Sequence, residues 1–95
     1  MVNRVWRVDS AAVSWRRSHD TIFVLDLSTS VQFRLDGISE GMWEALLIGS
    51  DLNALVTLVT TRFDVSPSTA FDDIGRFVQD LALRGIVTEK LEPSS

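Results

Sequence analysis

Apolar and polar positions change rhythm partway along this chain. Ala11, Val13 and Trp15 alternate with Ala12, Ser14 and Arg16, the period of two expected of a strand with one buried face. Thr21 to Leu27 is nearly continuous in β-branched and aromatic residues, which predicts a central strand buried on both faces. After Ser28-Thr29-Ser30, the segment Val31-Gln32-Phe33-Arg34-Leu35 alternates strictly again, so the two strands form a hairpin. Val5-Trp6-Arg7-Val8 either extends this sheet or leans on it.

Beyond Asp36 the period becomes helical. Met42, Trp43, Leu46 and Leu47 recur at helical spacing until Gly49. Ser50 or Asp51 then caps a second helix, whose Leu52, Leu55, Val56 and Val59 make one stripe continued by Phe63. Ser66-Pro67 starts a third, with an oxygen for an orphan N–H followed by a residue that has none to satisfy. Phe71, Ile74, Phe77, Val78 and Leu81 line its apolar face, and Gly85 suits the left-handed turn that closes it. Ile86-Val87 is apolar enough for a short strand. The expected architecture is α+β: a three-stranded antiparallel sheet followed by three helices, in winged helix-turn-helix order. The expected core comprises Phe23, Leu25, Leu35, Trp43, Leu46, Leu55, Val59, Ile74 and Leu81.

Length and charge narrow the function. Residues 1–95 make one small domain, with an ordered core expected over about 5–88 and a tail that frays at Pro93-Ser94-Ser95. Nine Lys+Arg against 13 Asp+Glu give a net charge of −4, which disfavours a phosphate-backbone ligand. No apolar run reaches membrane-spanning length, and no basic-then-apolar leader is evident, so the expected address is the cytoplasm. There is no cysteine and only one histidine, His19, which leaves no basis for a thiolate, a zinc ribbon or a Ser/His dyad. Asp72 and Asp73 are adjacent and so diverge on a helix, giving no shared acid/base pair. No glycine-rich phosphate loop is present, and neither metal nor cofactor is expected. Monomer and dimer both remain open.

An ordered set of short motifs adds to this. Phe63-Asp64-Val65-Ser66-Pro67, Phe71-Asp72-Asp73-Ile74, Phe77-Val78 and Leu81-Ala82-Leu83-Arg84-Gly85-Ile86-Val87 follow Val24-Leu25-Asp26, Phe33-Arg34-Leu35-Asp36 and Trp43. Together they resemble the PqqD-like proteins, in particular the stand-alone leader-recognition proteins of lasso-peptide clusters. Members often carry glycine where this chain has Thr21, Ser30 and Ser39, and asparagine at Asp36. The resemblance implies a RiPP recognition element, a non-enzymatic domain that holds the leader segment of a ribosomally made precursor peptide. The leader would add as a strand beside the third strand, in a groove walled by the third helix. Partners would be a leader peptidase and an ATP-dependent macrocyclase, and an aromatic, a proline and a leucine would anchor the leader.

The site implied is Val31, Gln32, Phe33, Arg34 and Leu35 on the strand, with Asp73, Arg76, Phe77 and Asp80 on the helix. Val31 to Leu35 contains no proline, so an exposed edge there offers every outward N–H and C=O. The four helix residues lie at i, i+3, i+4 and i+7, one stripe beside the core face. Ordinary roles compete: a core phenylalanine, a solvated or capping Asp73, and a surface ion pair between Arg76 and Asp80. The alternative function is a winged-helix DNA-binding regulator, though its recognition helix would carry several acids and few bases.

Overall fold

A computed structural model describes residues 2–93. Strands β1 (Val2–Val8), β2 (Val13–Ser18), β3 (Thr21–Asp26) and β4 (Gln32–Asp36) precede helices α1 (Ile38–Ile48), α2 (Leu52–Arg62) and α3 (Pro67–Leu83). Strand β5 (Val87–Pro93) closes the chain. The architecture is α+β, but with two antiparallel sheets where one was expected: β2-β3-β4, and a separate pair β1-β5. The N-terminal strand therefore neither extends the first sheet nor merely leans on it. It pairs with β5 from Val2↔Pro93 to Val8↔Val87. Strand pairing thus runs beyond residues 5 and 88, and Pro93 stands at the end of β5. Ser94 and Ser95 lie outside the described residues.

The helix ends follow the capping chemistry of the sequence. Asp51 accepts from the Ala54 N–H at 2.7 Å, and Ser66 accepts from the Thr69 N–H at 3.3 Å with Pro67 in the first turn. α1 ends where Gly49 adopts φ 108°, and the Arg7 Nε donates to the Ile48 carbonyl at 3.1 Å. A Cβ at Gly49 would sit 2.8 Å from a nitrogen of the flexible Arg7 side chain, which can give way, so it is the conformation that calls for glycine.

One core joins both sheets to the helices. Val13, Ile22, Val24 and Leu35 from the first sheet meet Met42, Trp43 and Leu46 of α1, Leu55 and Val59 of α2, and Ala70, Ile74, Val78 and Leu81 of α3. Val8, Ile86 and Val87 bring in the second sheet. Two core assignments fail. Phe23 and Leu25 are only half-buried, because helices cover one face of the sheet and, among the described residues, nothing covers the other. β3 is central in its sheet but buried on a single face. Phe71 is 51% exposed, since the buried stripe of α3 runs through Ala70, Ile74, Val78 and Leu81 and leaves Phe71 on its flank.

Candidate functional site

β4 is an edge strand. Among the described residues it pairs with β3 alone, in the register Thr21↔Asp36 to Leu25↔Gln32. The turn before it sets which backbone groups remain open. The Asp26 N–H donates to the Val31 carbonyl at 2.9 Å, so residues 26 and 31 form a hydrogen-bonded pair. Antiparallel pairs alternate, so Phe33 and Leu35 also turn their N–H and C=O toward β3. Gln32, Arg34 and Asp36 turn theirs away, to the open edge.

Asp26 holds that turn together. Its side chain is buried and accepts from the Ser28 N–H at 3.0 Å and the Ser28 hydroxyl at 2.8 Å, while its carbonyl accepts from the Ser30 N–H at 2.8 Å. The Ser28 hydroxyl is the main reason its carboxyl is held below the ordinary carboxylate value, against the opposing effect of burial. Ser30 adopts φ 61°, so of the three non-glycine departures only this one occupies a left-handed conformation. Glu40, through Arg17, and Asp51, through Asn3 and the Ala54 N–H, are held low in the same way. A carboxyl depressed by folding stabilises the fold above its unfolded pKa and loses that contribution as pH falls toward the folded one. Thermal stability should therefore decline once pH drops below about 4. Asp26→Asn should lower the melting temperature at pH 7 and should differ less from wild type at pH 3. Equal gaps at both pH values in calorimetry would refute the role of the charge.

Beside the edge lies a groove between β4 and α3. One depression, about 220 Å³, is lined by Val31, Phe33, Leu35, Phe77, Asp80, Leu81 and Arg84. Past Phe77 a second, about 300 Å³, lies between α1 and α3 rather than against β4, lined by residues that include Ile38, Met42, Val65, Asp73, Ile74 and Phe77. Phe77 is half-buried and borders both. The structure thus gathers Val31, Phe33, Leu35, Phe77 and Asp80 around one hollow and brings Asp73 to the next. Gln32 and Arg34 contribute backbone to the edge, while their side chains lie on the opposite face of the sheet.

Arg76 departs from the expected stripe. It lines a third concavity of about 500 Å³ on the other flank of α3, with Arg4, Trp6 and Phe71 among its neighbours. This hollow is larger than the two beside Phe77, but it touches neither β4 nor its open backbone. The expected Arg76–Asp80 pair is also replaced. Arg76 pairs with Asp73, and Asp80 with Arg84 at 3.2 Å. Arg84 was missed as a site residue: its guanidinium lies 5.9 Å from the Phe33 ring centroid, closing one end of the groove. Its spacing of seven from Phe77 was a usable signal, masked by the equally ordinary role of a basic residue at a helix C-terminus.

In this small α+β domain an open strand edge thus lies next to a furrow with apolar walls and charged rims, the geometry that strand addition by an extended chain requires. The family model of Coenzyme PQQ synthesis protein D (PqqD) matches residues 21–87, from the start of β3 to the start of β5. The chain belongs to the PqqD family. Among solved structures it is similar to TbiB1 in complex with the TbiA(beta) leader peptide, with a TM-score of 0.75 and 24% identity. That match covers 94% of this chain and 98% of the other, so the two share a fold over nearly their whole lengths. No curated protein matches the chain.

Proposed function

We propose that this protein binds the leader segment of a ribosomally synthesised precursor peptide by adding it as a strand to β4, and presents it to separate processing enzymes. The observation that carries this reading is the open backbone of Gln32, Arg34 and Asp36 alongside the groove of α3. The solved neighbour that shares the fold was captured with a leader peptide, which supports the same assignment. In this reading the protein is a single-domain adaptor and not an enzyme. It acts in the cytoplasm, needs no cofactor, and hands its cargo to a leader peptidase and an ATP-dependent macrocyclase of a lasso-peptide or related pathway. The strands-then-helices order is that of a winged helix-turn-helix, turned to peptide capture. DNA binding is not favoured, because α3 carries Asp72, Asp73 and Asp80 against Arg76 alone.

Strand addition supplies affinity through main-chain hydrogen bonds, and the hollows supply choice. The groove would take apolar leader anchors, an aromatic, a proline and a leucine, over Phe33, Phe77 and Leu81. Asp80, Arg84 and Asp73 on the rim would bond polar groups beside them, with Arg76 acting through Asp73. Fluorescence-anisotropy titration of candidate leader peptides is the direct test, and affinity should be unchanged by EDTA. Phe77→Ala should weaken binding by about 1–2 kcal/mol, the value of a partly buried aromatic contact. Arg76→Ala should cost less than about 0.5 kcal/mol, as for an exposed ion pair. A Phe77→Ala protein that is folded by circular dichroism and binds every leader as tightly as wild type would move the site away from this groove.

A further inference from the structure

The outer face of the β2-β3-β4 sheet carries a feature that the groove does not use. Beside the open edge, but across the sheet from α3, Arg16, Phe23, Gln32, Phe33 and Arg34 line a concavity of about 360 Å³. Cross-strand register puts it there. Arg16 is the partner of Phe23 on one side and Arg34 is its partner on the other, so the ring lies between two guanidiniums. Arg16 sits 5.6 Å from the centroid of Phe23 and forms no ion pair among the described residues. Arg34 gives its Nε and Nη2 to one oxygen of Asp36, at 3.2 and 3.0 Å, which leaves its Nη1 available. Phe33 also lines the first groove hollow, so the two concavities meet across the edge strand.

A strand added to β4 must straddle that edge. Its side chains alternate between faces, so residues that enter the groove are separated by residues that point to the outer face. An outward residue placed opposite Arg34 in an antiparallel ladder has its Cα about 5.5 Å away and its side chain on the same face as the guanidinium. There it faces the Arg34 guanidinium and the Gln32 amide, with the Phe23 ring and the Arg16 charge further in across the sheet, against the single carboxylate of Asp36. The rim of the groove, by contrast, carries Asp73 and Asp80 against Arg84.

We infer that the outer concavity is a second specificity pocket, and that it selects peptides with an aspartate or glutamate between two groove-facing apolar residues. The inference rests on strand addition at β4. It assigns Arg34 as the contact residue and Arg16, which sits two strands further in on β2 and is held over Phe23, as a positioning charge.

The test is selection of a display library of randomised short peptides on the intact chain, followed by anisotropy with the enriched sequences. Wild type should enrich an apolar–acidic–apolar triplet. Arg34→Glu should weaken the enriched acidic peptide about five- to tenfold, and the same peptide with lysine in place of the acid should regain the loss. Arg16→Glu should act in the same direction but less strongly. An Arg34→Ala protein tests whether the guanidinium matters apart from the reversed charge. Apolar triplets with no acidic preference, or charge-reversal variants that enrich the same sequences as wild type, would overturn the inference while leaving strand addition standing. If Arg34→Pro, which removes an edge donor, still enriched the wild-type sequences, strand addition itself would fail and the pocket with it.

Discussion

Gln32→Pro and Arg34→Pro are expected to lower leader affinity by about 1–3 kcal/mol each, roughly five- to 150-fold, while leaving the fold nearly as stable as before. Both residues direct their N–H to the open edge, so proline there breaks no bond of the β3–β4 ladder. It removes a donor that the incoming main chain needs and leaves a leader carbonyl unpaired in the complex. Phe33→Pro should do the reverse. The Phe33 N–H faces Val24, so its loss breaks the ladder at the middle of a five-residue strand and should lower the melting temperature sharply. Gln32→Ala and Arg34→Ala serve as controls, because they remove the same side chains and keep the donors. Anisotropy and thermal denaturation on these five variants separate backbone from side chain. Loss of stability rather than affinity at positions 32 and 34 would mean that the phase of the ladder is opposite to the one described.

That phase is the part of the site that sequence alone left undecided. Alternation in Val31–Leu35 shows that Gln32 and Arg34 act as a pair, but not which way they face. The answer depends on one turn bond, from the Asp26 N–H to the Val31 carbonyl, and on a serine in a left-handed conformation. For the helix starts, local signals were sufficient. Asp51 and Ser66-Pro67 mark helix starts through chemistry contained within a few residues, and the structure uses each of them. Nothing local announces that β1 pairs with β5, because the two strands lie at opposite ends of the chain. The same is true of Trp6, whose N–H and C=O bond to Ser50 at 2.8 and 2.9 Å and tie β1 to the start of α2. The apolar run over Thr21–Leu27 misled for a different reason. Continuous hydrophobicity predicts two covered faces, yet a single helical layer leaves Phe23 and Leu25 half-exposed on the face now read as a pocket.

The largest effect on stability is expected at Trp43. Its side chain is fully buried, with the half-exposed Trp15 edge-on to it at 6.2 Å between ring centroids. Trp43→Ala should cost about 3–5 kcal/mol, through lost transfer energy and the cavity left behind. A chain of this length has a total stability of order 5–14 kcal/mol, so the variant should melt far below wild type or fail to fold. Trp43→Phe is more informative. The indole Nε1 is buried with no hydrogen-bond partner among the described residues, and a donor left unsatisfied in this way costs about 1–3 kcal/mol. Phenylalanine leaves a smaller cavity than alanine and removes that donor, so the two terms oppose each other. The net loss should be below about 1.5 kcal/mol, which denaturant titration can resolve. A Trp43→Phe protein as unstable as Trp43→Ala would show that the nitrogen has a partner in solution. Trp15→Ala, which leaves Trp43 in place and removes only a surface-facing neighbour, should fall between the two.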